Sequence, residues 1–431
     1  MNKALLSLCS ALIAGGMQIS AADFEKHFSD STLRIDYTFS GTDKVSNIYL
    51  DKMTATDGWY GKRINLNSVP LRGNGRIYVR DAATGDTIFM ESFSHLFLEW
   101  VETDEAKEIQ KSFEAVMRIP LPLKPADVTV ELEDKHLKVV SSMTHRVSPS
   151  TDNLIRRPKI KETAPYMYLL KNGDSKEKID VAIIAEGFTE EEMDSFYNKA
   201  NVAMESILSH TPFNNYRDCF NFIAVGVPSQ DSGVSVPRLN SWKNTALSSH
   251  FGTFYSPRYL TTTNMRDLYD ILTNIPAEHI IILANTPEYG GGGIYNSYTL
   301  TSAGHKTFRP VVVHEFGHSF GGLADEYFYE NDPLMSGTYT IETEPWEQNI
   351  TTLKDFDSKW KDMLPEGTPI PGKAIPGDQK TVGVYEGAGY STHGVYRPVD
   401  KCRMRYNDAD GFCPVCRRAI ARVIEFYIPS K

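Results

Sequence analysis

The chain has 431 residues, of which 41% are hydrophobic and 23% are charged, a composition typical of globular proteins. This length predicts two or three domains with at least one large core. A net charge of -10 and a pI near 5.6 exclude a nucleic-acid backbone as the expected partner, because no basic excess is present to displace counterions.

Residues 1–22 have the pattern of an export signal. Lys3 supplies the one positive charge, a short apolar run follows, and small residues continue through Ala21 and Ala22. The run is too short to span a bilayer, and no later stretch approaches about 18 uninterrupted apolar residues. We therefore expect a cleaved signal peptide, no transmembrane segment, and a mature protein that is secreted, periplasmic or on the cell surface.

Alternating hydrophobic and polar residues predict strands in the next part of the chain. The alternation of Leu33, Ile35 and Tyr37 is typical of a half-buried strand, and two later stretches around residues 77–79 and 128–132 repeat it. Short strands separated by turn-rich gaps favour a β-sandwich of about seven strands. We expect residues 23–155 to form this accessory domain, without catalytic residues of its own.

Helical and strand patterns alternate in the rest of the chain, residues 156–431. The apolar run at residues 179–185 is broken only by Asp180 and indicates a strand covered on both faces. Thr189 and Glu192 then have the spacing of a capping box at a helix start. Further strands are predicted at residues 220–227 and 279–283, and the alternation predicts an α/β sheet.

Residues 311–327 contain two histidines four apart, His314 and His318, with Glu315 beside the first. Residues i and i+4 share one face of a helix, so both imidazoles can reach the same metal ion. Glu315 is then placed to activate a water, whose pKa zinc lowers from about 15.7 toward about 7. The alternative is an amphipathic helix whose histidines face the core.

A catalytic zinc ion usually has three protein ligands and one open position, so a third ligand must come from elsewhere in the chain. Gly321 is predicted to end the helix and to let the chain turn beneath the ion. The candidates beyond that turn are Asp325 and Glu326.

Four cysteines follow the predicted signal: Cys219, Cys402, Cys413 and Cys416. Export into an oxidising compartment favours a disulfide, and we expect one from Cys402 to Cys413 or Cys416. A Cys-x-x-Cys pair could instead bind structural zinc or carry out redox chemistry. A site with four thiolates would require Cys219 to meet the other three.

Residues 314–327, 402–406 and 412–416 resemble the IgA-peptidase family of zinc metallopeptidases, the igalysins of the metzincin clan. The resemblance covers nearly the whole chain, including a β-rich domain before the peptidase. Metzincins share the motif H-E-x-x-H-x-x-G-x-x-H/D, followed by a methionine-containing turn beneath the metal. In this chain the tenth residue after His314 is Ala324, which cannot bind zinc, and Asp325 follows one place later.

The resemblance implies roles for four parts of the chain. Asp325 is the third zinc ligand if Gly321 and Gly322 absorb one extra residue, with Glu326 as the alternative. Met404 lies beneath the metal, and Tyr406 stabilises the oxyanion. Residues 293–300, at the end of a glycine run, are expected at the sheet edge, where an extended substrate can pair. A flexible glycine loop is the alternative there.

We therefore predict an α+β multidomain protein in which an N-terminal β-sandwich precedes a metzincin-like α/β zinc-peptidase domain. The predicted function is a zinc-dependent endopeptidase for extracellular proteins, with one catalytic Zn²⁺. The predicted metal ligands are His314, His318 and Asp325, and the predicted catalytic residues are Glu315 and Tyr406. The expected partner is a protein or peptide substrate, and the family name implies immunoglobulin.

Two other functions compete with this prediction. The first is a catalytically inactive surface binding protein that retains its zinc site. Glu315 argues against it, because a binding module has no need of a general base. The second is a zinc hydrolase that acts on a non-peptide amide or on cell-wall peptides.

Overall fold

The computed structural model describes residues 21–159, 162–328 and 339–428. The predicted signal peptide therefore lies outside the described residues, except for its last two. No helix within these ranges is both long enough and apolar enough to cross a membrane.

The N-terminal region is rich in strands, which form two sheets of four. Its helices are α1 (Ala21–His27), α2 (Leu96–Trp100) and α3 (Glu105–Glu108). Its strands are β1 (Phe28–Gly41), β2 (Ser46–Asp57), β3 (Gly75–Asp81), β4 (Thr87–Phe93), β5 (Lys111–Pro122), β6 (Ala126–Glu133), β7 (Val139–Val147) and β8 (Ile155–Arg156). The sheet orders are β5-β1-β2-β8 and β4-β3-β6-β7, and every pairing is antiparallel except that of β2 with β8. The predicted domain boundary after residue 155 falls inside β8.

The period-two pattern of β1 corresponds to one face buried in the core, where Leu33, Ile35 and Tyr37 have no exposed surface. Arg34 and Asp36, on the opposite face, are also buried. Arg34 donates hydrogen bonds to Asp36 and to Asp270, which belongs to a helix of the second region. The polar face of β1 is therefore covered by the rest of the chain.

The second region combines helices with one sheet of six strands. Its helices are α4 (Met193–Leu208), α5 (Met265–Ile271), α6 (Phe308–Ser319) and α7 (Pro414–Tyr427). Its strands are β9 (Tyr166–Leu170), β10 (Ile179–Glu186), β11 (Phe220–Val225), β12 (His279–Ala284), β13 (Gly291–Ile294), β14 (Tyr298–Ser302), β15 (Tyr385–Ala388) and β16 (Ser391–Arg397). The sheet order is β13-β14-β12-β10-β11-β9, and β15 pairs with β16 separately.

The four inner strands of the large sheet are parallel, and the two outer strands are antiparallel to their neighbours. All eight residues of β10 are buried, including Asp180, as the apolar run predicted. The predicted capping box is also present, formed by Thr189 and Glu192 ahead of α4. The α+β organisation with a β-rich N-terminal region is confirmed.

The turn between β13 and β14 joins the two regions beside α6. Ser94 N–H donates to Tyr295 O at 2.9 Å, and Asn296 Nδ2 donates to Ser92 O at 2.8 Å. The backbone N–H of Asn296 donates to Ser319 O, the last residue of α6, at 2.8 Å. The N-terminal region thus supports the turn that holds the end of α6.

Candidate metal centre

The two histidines lie on the face of α6 that remains accessible, with side chains 13% and 15% exposed for His314 and His318. The opposite face is anchored in the core, where Phe316 stacks on Phe320 with ring centroids 5.1 Å apart. The two Nε2 atoms are 3.0 Å apart. The spacing of four residues therefore brings both imidazoles to one point, as the sequence predicted.

Beyond α6 the chain turns at Gly322, which has a φ of +54°. Gly322 N–H donates to His318 O at 3.0 Å, and Leu323 N–H donates to Gly317 O at 3.2 Å. The first of these bonds is the 5→1 bond of the αL motif, which favours glycine at the left-handed position. The prediction that Gly321 turns the chain is wrong by one residue.

Backbone carbonyl groups orient both imidazoles. His318 Nδ1 donates to Leu323 O at 2.5 Å, so the helix-ending turn itself supplies the acceptor. His314 Nδ1 donates to Arg403 O at 2.9 Å. In the neutral form of each ring, which is the form that binds a metal, the proton lies on Nδ1 and each Nε2 has a lone pair that points toward the other.

Met404 lies in the turn that supplies the Arg403 carbonyl. It is fully buried, and its Sδ would be 2.8 Å from a Cβ built on Gly317, the residue directly before His318 in α6. Its carbonyl accepts a hydrogen bond from Glu326 N–H at 2.9 Å. The side chain therefore packs beneath the histidine-bearing turn of the helix, and Gly317 leaves the space for it.

Asp325 completes a triangle with the two imidazoles. Its Oδ1 is 3.1 Å from His314 Nε2 and 3.3 Å from His318 Nε2. That oxygen is buried and has no hydrogen-bond partner among the described residues, whereas Oδ2 accepts from Tyr390 Oη. The structure thus brings Asp325, and not Glu326, to the imidazole pair.

The charges of this triangle are strongly coupled. Although burial opposes the shift, His318 holds the pKa of the Asp325 carboxyl well below its usual value. Burial likewise opposes the shift of His318, but the Asp325 carboxylate raises the pKa of that imidazole to about 9. An anionic oxygen is therefore held against the two rings.

Glu315 lies in the same cluster, and its carboxylate is within 4.8 Å of the ligand atoms of His314 and His318. Its side chain passes beneath β13, where a Cβ built on Gly291 would be 2.7 Å from Glu315 Oε1. Burial raises the pKa of the Glu315 carboxyl. A carboxylate whose proton affinity is raised in this way is suited to accept and release a proton.

Tyr406, the predicted oxyanion ligand, is 41% exposed. Its ring lies beneath the Arg405 guanidinium, with 4.8 Å from Cζ to the ring centroid. Two other tyrosines contact the cluster. Tyr390 donates to Asp325, and the ring of Tyr327 lies parallel to that of His314 with centroids 6.5 Å apart.

Tyr390 and Asn349 were missed by the sequence analysis. Asn349 accepts a hydrogen bond from Ala324 N–H at 2.8 Å and donates from Nδ2 to Ala324 O at 2.8 Å and to Glu326 Oε1 at 3.0 Å. It thereby fixes the segment that carries Asp325. Neither residue belongs to a motif, so no signal in the sequence could have found them.

The strand at the edge of the sheet is β13, whereas β14 lies inside it. The expectation of an edge strand over residues 293–300 is therefore wrong for its second half, because those residues turn and return as β14. The outer edge of β13 begins with Gly291, whose backbone pairs with the segment around Tyr259.

The predicted disulfide is wrong, since no disulfide is formed among the cysteines that the structure describes. Cys402 and Cys416 approach to 3.8 Å between sulfur atoms, and Cys413 joins them in a buried cluster with Glu326. Cys219 belongs to neither cluster of candidate metal ligands in the described part of the chain.

The triangle of His314, His318 and Asp325 fits a tetrahedral zinc ion. Zinc binds imidazole nitrogen and carboxylate oxygen at about 2.0 to 2.1 Å, which places neighbouring ligand atoms about 3.3 Å apart. The observed separations of 3.0, 3.1 and 3.3 Å are close to this value. The unpartnered Asp325 Oδ1 is the atom that a cation would satisfy.

Two family models match the chain. Residues 167–376 and 375–424 match the family described as IgA Peptidase M64, and residues 23–144 match the one described as Peptidase M64 N-terminus. No curated protein matches the chain.

Proposed function

The chain belongs to the IgA peptidase M64 family and is a peptidase, and from this premise we propose that it is an exported zinc endopeptidase. Its substrates in this proposal are extracellular proteins. The observation that carries the zinc assignment is the triangle of ligand atoms from His314, His318 and Asp325. The proposed export rests on the signal-like residues 1–22.

In this proposal the three ligands hold one Zn²⁺ and leave one position open for substrate and water. The bound ion would supply Lewis-acid polarisation of the scissile carbonyl and of water. The partial exposure of both imidazoles supports access from solvent to that position.

Glu315 is the proposed general base. It would take a proton from the attacking water and then pass it to the nitrogen of the leaving amine. The burial of its carboxyl, which raises its pKa, supports both steps, because the protonated form is stable enough to serve as an acid. Tyr406 remains the proposed donor to the oxyanion, and its exposed position would allow contact with a bound peptide.

The N-terminal region, residues 23–155, is proposed to be a β-sandwich accessory domain. Residues 156–431 are proposed to form the metzincin-like peptidase domain. A peptide substrate would pair with the outer edge of β13 beyond Gly291, whose own backbone is bonded to the segment around Tyr259. Immunoglobulin, which the family description names, is the first protein substrate to test.

The test is the variant Glu315→Gln in the full chain. It keeps the size of the side chain but cannot move a proton, so we expect metal content near that of the parent chain. Peptidase activity on denatured protein should fall by about 10²- to 10⁴-fold. Metal analysis and initial rates of peptide-bond cleavage measure the two effects.

Glu288→Gln is the matched control, because Glu288 is paired with Arg238 outside the cluster and should keep full activity. Activity that survives Glu315→Gln would overturn the assigned role. Cleavage of cell-wall peptides but not of proteins would replace the proposed substrate class. A parent chain with bound zinc and no activity on either substrate would instead indicate a binding protein.

A further inference from the structure

A second group of metal-ligand side chains lies behind the first. Cys402, Cys413, Cys416 and Glu326 each place one ligand atom within 4.8 Å of the others. All four are buried, with at most 1% of any side chain exposed. They come from three separate parts of the chain: the segment after α6, the turn containing Met404, and the start of α7.

The distances within this group match a tetrahedral zinc site. A Zn–S bond of about 2.3 Å places two sulfur atoms about 3.8 Å apart around the ion. Cys402 Sγ and Cys416 Sγ are separated by 3.8 Å. A disulfide would need about 2.05 Å between the same atoms.

The surrounding hydrogen bonds favour negatively charged sulfur. Cys413 N–H donates to Cys402 Sγ at 3.3 Å, and Cys416 N–H donates to Cys413 Sγ at 3.5 Å. Cys413 is also the residue that caps α7, so its sulfur lies at the positive end of a helix of 14 residues. Backbone donors are thus already aimed at two of the three sulfur atoms.

Glu326 gives independent evidence that a cation binds at this cluster. Its Oε1 accepts hydrogen bonds from Cys416 Sγ at 3.1 Å and from Asn349 Nδ2 at 3.0 Å. Its Oε2 is buried and lacks a hydrogen-bond partner in the described ranges. Leaving a buried carboxylate oxygen unsatisfied is costly, and a coordinated cation would remove that cost.

We propose that Cys402, Cys413, Cys416 and Glu326 bind a second zinc ion, which is structural. Three sulfur ligands favour a soft ion such as zinc, and four protein ligands would leave no open position for catalysis. Binding of the ion displaces the remaining thiol and carboxyl protons to solvent.

The second ion would fix the ligands of the first. Glu326 is the direct neighbour of Asp325, and its N–H bonds to Met404 O. Cys402 precedes Arg403, whose carbonyl orients His314. A cation behind the site would therefore fix the Asp325 segment and the Met404 turn relative to each other. This effect on the first site rests on the proposed function, whereas the binding of the second ion does not.

The test measures metal on the full chain purified without chelator. We expect two zinc ions per parent chain and one in the His314→Ala/His318→Ala variant. After replacement of zinc by cobalt, that variant should keep the strong sulfur-to-cobalt charge-transfer absorption, because its sulfur ligands are intact. Loss of the band in this variant would overturn the proposal.

Cys413→Ser and Cys416→Ser should each lose one zinc ion and this absorption band, and Cys219→Ser is the matched control that should keep both. If the cysteine variants fail to fold, measurements on the parent chain still distinguish a zinc site from a disulfide. Alkylation in denaturant with a chelator should modify all three clustered cysteines. A mass lower by two hydrogen atoms and resistance to alkylation would identify a disulfide and overturn the proposal, as would iron or copper in place of zinc.

Discussion

Asp325 reaches the two imidazoles although it lies one residue beyond the spacing of the metzincin motif. The turn at Gly322 and the two hydrogen bonds of Asn349 to Ala324 account for the extra residue. Ala324 is buried in a small cluster with Ile350, Ala388 and Val395, so the side chain at the motif position packs into this cluster. The position of Asp325 beside the two imidazoles therefore depends on the left-handed Gly322 and on the side-chain amide of Asn349.

Tyr390 is expected to hold Asp325 in place. In the variant Tyr390→Phe, the hydrogen bond to Asp325 Oδ2 is lost while the ring remains. Loss of a partner that orients a metal ligand typically costs about 10- to 100-fold in metal affinity or activity. Titration of the metal-free chain with zinc, followed by peptidase activity, measures the shift.

Tyr385→Phe is the matched control, because Tyr385 lies in the neighbouring strand β15 and donates to the Thr381 carbonyl at 3.4 Å. Equal zinc affinity in the parent chain and Tyr390→Phe would show that the tyrosine does not orient the ligand.

The sequence could predict His314, His318 and Glu315 as a group, because a helix fixes their relative positions within five residues. It left Asp325 and Glu326 as alternatives, since the path of the chain beyond a glycine pair is not local. Tyr390 could not be predicted at all. It lies 65 residues beyond its partner, and the contact exists only because of the tertiary fold.

At the scale of elements, the close packing of β13 over α6 shapes the candidate site. A Cβ built on Gly293 would be 2.2 Å from Glu315 O and 2.8 Å from His318 Cβ. The glycine run is therefore a packing surface for the helix, and the alternative of a flexible loop is wrong for residues 291–294, which form a strand.

Gly293→Ala should displace α6 and its histidines. Because the added methyl group meets backbone, the strain cannot be relieved by a side-chain rotation. We expect the free energy of unfolding to fall by about 1 to 3 kcal/mol and the activity to fall with it. Urea unfolding and rate measurements on the same preparation report both effects.

Gly411→Ala is the matched control, since its added Cβ would be 3.4 Å from His210 Cδ2, an ordinary contact. A stable, fully active Gly293→Ala chain would contradict the close packing described for β13.

The period-two pattern predicted β1, β3 and β6 because it reflects one buried face. β10 was predicted instead from a continuous apolar run, and the start of α4 from its capping box. The strand order was harder, because residues 293–300 contain both the edge strand and part of its neighbour. A pattern of hydrophobic residues does not reveal which strand of a hairpin lies outermost.

At the scale of the whole molecule, a buried histidine contributes to the response to acid. His279 begins β12 between the rings of Phe320 and Tyr427, and its Nε2 has no hydrogen-bond partner within the described residues. Burial, with a smaller contribution from Arg118 of the N-terminal region, lowers the pKa of His279 to about 3. The folded protein therefore keeps this ring neutral.

The unfolded chain protonates His279 below about pH 6.5, whereas the folded chain does not until about pH 3. Stability is therefore lost as the pH falls through this window. One such histidine contributes a loss of about 2 kcal/mol between pH 6.5 and 5. In His279→Phe the melting temperature should decrease less between pH 7 and pH 5 than in the parent chain.

His393→Phe is the control, because the His393 side chain is 85% exposed and is not enclosed by the fold. Identical pH profiles for the parent and His279→Phe would show that the ring is protonated in the fold.

The contact between the N-terminal region and the β13–β14 turn at Asn296, here called the seam, has a consequence for protein engineering. Asn296 is hydrogen-bonded both to Ser92 O in the N-terminal region and to Ser319 O at the end of α6. Chimaeras that exchange the N-terminal region with that of a relative must therefore keep a segment equivalent to Ser92–Ser94 that can bond to the turn at Asn296. Recombination points are better placed outside this seam, so that both halves are inherited as one unit.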